Sequence, residues 1–264
     1  MTGLFNLPSE LLFHIIGLVV SSPLPIPSNG KRYRPAWSSS SRQTSCFPST
    51  NMIEPPNALC LLLTSWRLYS ETKLYISKHP QIFKVDVAVI DDHWIWPTWR
   101  MIPTRTTHNV IDSVVIDLIL CCTEGERQLQ TSWPQNTIDL TLLHVLRYLK
   151  SQGDLGININ NLVISIDTTR YGNGIETISE EIVPLRKIDG LAHLNFDPLY
   201  PIDAENSRNF LGQVHAFLKT MMESDNLSPG LEQTLKRIRN IVFCADKEVT
   251  ATNLAVCRSG IVRS

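Results

Sequence analysis

The segment from 91 to 100, DDHWIWPTWR, holds the densest group of side chains that could bind or react. Asp92 next to His93 has the residue types of an acid–base pair, but adjacent residues on a strand point to opposite faces and cannot act together. Tryptophan and arginine dominate the binding energy of protein interfaces. The residues of these two types are Trp94, Trp96, Trp99 and Arg100. Two interpretations of the tryptophans stay open: packing in a core or loop, and an anchor patch for a partner.

The sequence lacks the familiar catalytic and metal-binding patterns. It has no G-x-S-x-G hydrolase elbow, no H-E-x-x-H zinc motif and no phosphate-binding P-loop. Its six cysteines show no C-x-x-C spacing and no secretion signal accompanies them, so we interpret them as reduced thiols of an intracellular protein. We therefore predict no catalytic residue, no metal and no cofactor, and a protein that is not an enzyme.

Composition and charge argue against two classes of partner. The chain has 264 residues, of which 43% are hydrophobic, as is ordinary for a folded protein. Its 24 Lys and Arg residues balance 25 Asp and Glu residues, so the net charge is −1. Because no excess of positive charge attracts phosphates or anionic lipids, we expect neither a nucleic acid nor a membrane as a partner.

The segment LPSELLFHIIGLVV, residues 7–20, predicts a helix that is apolar on more than one side. Pro8 is tolerated in a first turn, and Glu10 suits the positive helix start. Two apolar stripes lie about 100° apart on this helix: Leu11, Ile15 and Leu18, and Leu12, Ile16 and Val19. The segment is too short to span a membrane, and no Lys or Arg precedes it as in a secretory signal. Such a helix is either buried in a large core or packed between its own domain and another protein.

The next two segments differ sharply in composition. Residues 21–57 are rich in proline and serine, carry a small basic cluster and predict a disordered insertion. Residues 58–77, ALCLLLTSWRLYSETKLYIS, have apolar residues at helical spacings and predict one or two more helices. We therefore expect a small helical module at 1–79, interrupted by the insertion, and a second domain at 80–264.

The two apolar blocks of the module resemble the F-box, as it occurs in many F-box proteins of filamentous fungi. The first block matches the signature L-P-x-E-L-x-x-x-I at Leu7, Pro8, Glu10, Leu11 and Ile15. The second block resembles the later helices of the family, where a Leu-(Val/Thr)-Ser-x-Arg run precedes a terminal Leu-Tyr. The matching residues are Leu63, Thr64, Ser65, Arg67, Leu68, Leu74 and Tyr75. The insertion stands where family members have a short turn and helix.

The resemblance implies a non-catalytic substrate-recognition subunit of a Skp–cullin–F-box ubiquitin ligase, acting in the cytoplasm or nucleus. The module would bind a Skp-type adaptor and, through it, a cullin. A small module has too little interior to bury a helix on all sides, so the surplus apolar face becomes the binding face. The expected adaptor contacts are Leu7, Pro8, Leu11, Leu12, Ile15, Ile16, Leu63, Trp66 and Leu68. The expected contacts with an unidentified protein substrate are Trp94, Trp96, Trp99 and Arg100.

Residues 80–264 alternate β-prone runs with helical segments, which favours an α/β or α+β fold. The β-prone runs are 82–90, 111–120, 160–167, 191–197 and 239–246. The two clearest helices lie within 137–153 and around 204–223. On the second, one face carries Phe210, Val214, Phe217 and Met221.

An apolar-x-x-apolar-x-apolar frame recurs along these runs and resembles the strand signature of leucine-rich repeats. The frames are Ile82/Val85/Val87, Ile111/Val114/Ile116, Ile159/Leu162/Ile164, Leu191/Leu194/Phe196 and Ile238/Ile241/Phe243. Their intervals of 29, 48, 32 and 47 residues are uneven, so we predict a degenerate repeat-like or single α/β domain rather than a regular horseshoe. The alternative function is a degenerate F-box with a ligand-binding or small enzymatic α/β domain of unknown reaction.

Overall fold

The structure is a computed structural model with a mixed α/β architecture. It describes residues 7–23, 37–38, 57–90, 94–103, 110–122, 157–168, 200–223, 235–246, 248–249 and 254–255. The helices are α1 (Ser9–Ser21), α2 (Leu59–Thr64), α3 (Trp66–Lys78) and α4 (Ala204–Glu223). The strands are β1 (Trp37–Ser38), β2 (Ile82–Ile90), β3 (Trp94–Met101), β4 (Val110–Cys122), β5 (Asn158–Ile166), β6 (Tyr200–Pro201), β7 (Ile238–Ala245), β8 (Glu248–Val249) and β9 (Leu254–Ala255).

Helices α1, α2 and α3 form the helical module, which confirms the helices predicted on either side of the insertion. Helix α1 begins directly after Pro8, whose carbonyl accepts a hydrogen bond from the Leu12 amide at 3.1 Å. The Ser65 hydroxyl caps α3 by accepting from the Leu68 amide at 3.2 Å, which satisfies a donor that has no partner within the helix. Local sequence signals therefore account for both helix starts.

The helical module has a small core of its own. Its fully or nearly fully buried apolar residues are Leu12, Ile16, Val20, Ala58 and Leu68. The inner stripe of α1 thus runs from Leu12 to Val20 in steps of four, and Val19, which we placed in it, is only half-buried. A Cβ on Gly17 would lie 2.7 Å from Tyr75 Oη, so the missing side chain lets α1 approach α3 closely.

The sheet is mixed, with five long strands and four short ones among the described residues. Strands β2, β4, β5 and β7 are parallel and lie side by side in chain order. Strand β3 runs antiparallel along the outer edge of β2, and β1 pairs with its first two residues. The short strands β6, β8 and β9 add antiparallel pairs to β4 and β7.

Three of the recurring apolar frames align across the sheet. Each position of the frame in β4 pairs with the same position in β5, and β5 pairs likewise with β7. The aligned rows are Ile111–Ile159–Ile238, Val114–Leu162–Ile241 and Ile116–Ile164–Phe243. The frame in β2 is offset, because Val85 rather than Val87 lies opposite Ile116. The frame at 191–196 lies outside the described residues.

The aligned rows belong to one buried face of the sheet, which α4 helps to cover. The side chains of α4 in this core are Phe210, Leu211, Val214 and Leu218. Phe217, which we predicted in the buried stripe, packs at its margin, and the side chain of Met221 is outside the described part. The stripe is therefore rotated slightly toward Leu211 and Leu218 from its predicted position.

The sequence predicts four of the five long strands and misses β3. Runs predicted at 82–90, 111–120, 160–167 and 239–246 become β2, β4, β5 and β7 with ends shifted by at most two residues. Strand β3 contains Pro97, which lacks a backbone N–H and is tolerated in a strand with an open edge. The predicted run at 191–197 and helix at 137–153 lie outside the described residues.

The predicted disordered insertion at 21–57 needs a partial correction. Trp37 and Ser38 form β1 and pair with Ile95 and Trp94 of β3. Antiparallel pairing supplies partners for backbone groups at an otherwise open edge, so this part of the insertion belongs to the sheet.

Within the described residues, none of the helices is both long and apolar enough to cross a membrane.

Replacing Ile164 with alanine should lower the free energy of unfolding by about 2–5 kcal/mol, because Ile164 is fully buried in the middle of the aligned rows. Its neighbour Val163 points to the other, half-buried face, and Val163→Ala should cost clearly less. Chemical denaturation of both variants measures the two losses. Equal losses would contradict the assignment of the buried face.

Candidate functional site

The exposed large hydrophobic side chains are concentrated on the helical module. Of the seven such residues in the described part of the chain, five belong to α1, α2 or α3. They are Leu11 (53% exposed), Leu18 (58%), Leu63 (76%), Trp66 (80%) and Leu74 (42%), and we call them the exposed apolar residues of the module. Single exposed hydrophobics are common on proteins, but five on three short helices mark a candidate interaction surface.

On α1 the exposed residues follow the outer stripe. Leu11 and Leu18 are separated by two turns, and the half-buried Ile15 lies between them on the same side of the helix. Leu7 is half-buried and Pro8 is exposed at the helix start. One stripe of α1 therefore packs inside the module, whereas the other is left without a partner in the described residues.

A second exposed group lies where α2 meets α3. Leu63 is near the end of α2, and Trp66 is the first residue of α3. The Trp66 ring stacks on Tyr69 with ring centroids 5.5 Å apart, and Lys73 Nζ lies 5.4 Å from the centre of the Tyr69 ring. Trp66 is thus held in place on one side while 80% of its surface stays accessible.

Three of the expected adaptor contacts are buried in the core of the module. Leu12 and Ile16 are fully buried, and Leu68 is 2% exposed, so none of them can touch a partner in this arrangement. Their burial has a simple cause, since they are the residues that supply the core of a module with few apolar residues to spare. Leu18 and Leu74 are exposed but were not among our expected contacts, although the spacing of Leu18 from Leu11 carried the signal.

The tryptophan cluster does not form an anchor patch as a whole. Trp99 is 6% exposed and packs edge-to-face on Phe83, with ring centroids 6.4 Å apart, so it is a core residue rather than a substrate contact. Arg100 is half-buried, and its Nε lies 3.6 Å from a carboxylate oxygen of Asp86. The side chains of Trp94 and Trp96, and residues 91–93 with Asp92 and His93, lie outside the described residues.

Arg100 belongs to a row of polar side chains on the less buried face of the sheet. Asp86 of β2 lies directly opposite Asp117 of β4. Lys84 Nζ is 2.6 Å from Asp117, whose other oxygen accepts a hydrogen bond from the Ser165 hydroxyl. The two cations of the row thus balance its two carboxylates. The alternation of charged and apolar residues along β2 and β4 is the sequence signal of this row, which we did not predict.

The arrangement does not activate a nucleophile. Cys244 lies next to Ser165 across the sheet, and burial together with the nearby Asp117 carboxylate raises the pKa of its thiol. A catalytic thiol requires the opposite shift, because the thiolate is the reactive form. Within the described part of the chain, no group of three or more His, Cys, Asp or Glu side chains is arranged to hold a metal ion.

A second polar cluster joins α4 to the ends of β5 and β7. The Asp246 carboxylate accepts hydrogen bonds from the Thr168 amide at 2.7 Å and hydroxyl at 2.6 Å, and Arg208 Nη2 lies 2.7 Å from it. These hydrogen bonds and the Arg208 charge lower the pKa of Asp246. At the start of α4, a hydrogen bond from the Asn206 amide at 2.9 Å likewise lowers the pKa of Asp203. These bonds tie the first turns of α4 to the end of β7 and to Thr168 after β5.

Replacing Asp246 with asparagine should lower the free energy of unfolding at neutral pH. It should also make that free energy depend less on pH in acid. A depressed folded-state pKa contributes stability above the ordinary value of 3.8, and this stability is lost as the pH falls through the depressed value. The difference between wild type and Asp246→Asn should therefore shrink in acid. Unfolding by denaturant across a pH series measures it, with the exposed Glu223→Gln as control. A difference that stays constant with pH would contradict the cause assigned to the shift.

Comparison with known proteins gives no match: no family model, no curated protein and no solved structure is significantly similar to the chain.

Proposed function

We propose that the chain is the substrate-recognition subunit of a Skp–cullin–F-box type ubiquitin ligase and performs no catalysis itself. The observation that carries the proposal is the concentration of exposed large hydrophobics on three helices whose sequence resembles the F-box. In this role, the module binds a Skp-type adaptor, which connects it to a cullin. The place of action is the cytoplasm or nucleus, where that machinery works.

The exposed residues have the chemistry of an adaptor interface. Fully burying a Leu or Phe side chain contributes about 1.5–3 kcal/mol, and covering several half-exposed ones drives association. Trp66 adds a large aromatic surface that stacking on Tyr69 already holds in place, so less side-chain freedom is lost on binding. The revised set of adaptor contacts is Leu7, Pro8, Leu11, Ile15, Leu18, Leu63, Trp66 and Leu74.

In this role, the sheet domain would bind the target protein. Alignment of three apolar frames in β4, β5 and β7 supports a degenerate repeat-like domain, in which neighbouring strands repeat one local packing pattern. A repeat-like sheet is covered on one side and offers its other side to a partner. Arg100 is the one residue of the expected substrate contacts that the structure describes on that side, where it pairs with Asp86.

The proposal is tested by co-purifying the full chain with a Skp-type adaptor. Wild type should capture the adaptor in stoichiometric amount, and a Leu11→Asp, Leu18→Asp double variant should lose it, because charges on an apolar interface cannot be buried without a partner. The matched control is Val110→Asp, which changes a residue of similar exposure (47%) in the sheet.

Circular dichroism and thermal unfolding first establish that all three proteins fold. Capture by wild type and by Val110→Asp, but not by the double variant, supports the proposal. A folded wild-type chain that captures no adaptor contradicts it, and so does a double variant that captures as well as wild type.

A further inference from the structure

The helical module and the sheet have separate hydrophobic cores. Ala58, at the start of α2, belongs to the core of the module, and Ile102, after β3, belongs to the core of the sheet. Two domains with separate cores are expected to move relative to each other unless something joins them. The junction between these two cores is therefore the place to look for a coupling device.

Asn57 occupies this junction and bonds in three directions. Its backbone N–H donates to the Ile102 carbonyl at 2.6 Å, and its side-chain Oδ1 accepts from the Ile102 amide at 3.0 Å. Its side-chain Nδ2 donates to the carbonyl of Ser22, the residue that follows α1. The next residue continues the contact, because the Ala58 amide donates to the Pro103 carbonyl at 3.3 Å. One amide side chain thus links α1, α2 and the end of β3.

The other end of the module is attached to the neighbouring strand. Helix α3 ends at Lys78 and β2 begins at Ile82. Between them, the Gln81 amide donates to an Asp112 carboxylate oxygen at 2.8 Å, and its carbonyl accepts from the Ser113 amide at 3.1 Å. The start of β2 lies beside the end of β3, where Lys84 pairs with Met101. The α2–α3 hairpin is therefore fixed at both ends to adjacent strands.

We infer that Asn57 couples the helical module to the sheet, so that the two move as one rigid body. A hinge needs a single free connection, whereas here both ends of the hairpin are bonded and α1 is tied to the same point through Ser22. The functional consequence rests on the proposed function: an adaptor bound to the module and a target bound to the sheet would keep a fixed relative orientation. The coupling through Asn57 is a property of the chain without a partner, and it is tested in that state.

The test is ¹⁵N relaxation of the backbone amides in the full chain, which gives a rotational correlation time for each part. In wild type, amides of α1–α3 and of β2–β7 should share one value. Asn57→Ala keeps the backbone bonds that fix α2 and α3 but loses the side-chain bonds to Ser22 and Ile102, so the value for α1 should fall below that of the sheet. The matched control is Asn206→Ala, which removes an asparagine whose side-chain bond within the described residues is local, to Asp203, and it should keep a single value.

Two different correlation times in wild type would overturn the inference, as would a single value in a folded Asn57→Ala. Should Asn57→Ala fail to fold, Asn57→Asp decides, since it keeps the acceptor for Ile102 and loses the donor to Ser22. In this variant the amides of α1 should lose hydrogen-exchange protection while α2 and α3 keep theirs. Unchanged hydrogen-exchange protection of α1 would overturn the inferred coupling.

Adaptor capture is measured on the same proteins to separate the two proposals. If wild type and Asn57→Ala both capture the adaptor, the proposed function stands whatever the relaxation shows. If neither captures it, the proposed function fails, and the relaxation result still decides whether Asn57 couples the two parts.

Discussion

The apolar surplus of α1 is the constraint on which the functional account depends. A module of three short helices can bury only a modest part of its surface, so a helix with two apolar stripes can satisfy only one of them internally. The stripe from Leu12 to Val20 is buried against α3, helped by the missing side chain at Gly17. The stripe with Leu11 and Leu18 is left outside. A stripe of exposed apolar residues is typical of an interaction surface.

In its described residues, the sheet shows no comparable surplus. The buried apolar residues that align across β4, β5 and β7 lie on one face, where α4 contributes four side chains to the same core. On its other face, charged residues compensate one another, with Lys84 beside Asp117 and Arg100 beside Asp86. The two described parts thus differ in physical character, since five of the seven exposed large hydrophobic residues belong to the helices and two, Ile82 and Val110, to the sheet. This difference favours a division into a binding module and a presenting domain.

Local patterns in the sequence predict most of the described elements. The helices of the module, α4 and four of the long strands follow from apolar periodicity, cap residues and β-branched runs. Strand β3 is missed because Pro97 and three tryptophans disguise its alternation, and β1 because two residues within a polar insertion carry no signal of their own. Pairing across the chain creates both strands, and a single sequence does not reveal such pairing.

At the candidate site, too, local sequence patterns predict one part of the arrangement and long-range packing decides the rest. Periodicity identifies two stripes on α1, but which of them faces inward depends on where α3 packs, and the sequence alone does not show that Leu12 and Ile16 are buried. Trp99 is of a residue type that is common in binding interfaces, but its contact with Phe83 places it in the core. The bonds of Asn57 join positions 35 and 45 residues apart, and no local pattern predicts them.

Hydroxyl-radical footprinting of the full chain, alone and with a stoichiometric Skp-type adaptor, tests the central claim most directly because it reports the solvent exposure of individual side chains. The account predicts that the adaptor protects Leu11, Leu18 and Trp66 from oxidation and leaves Ile82 and Val110, the two exposed large hydrophobics described in the sheet, unchanged. Unaltered oxidation of the helical residues, or protection confined to the sheet, would contradict it.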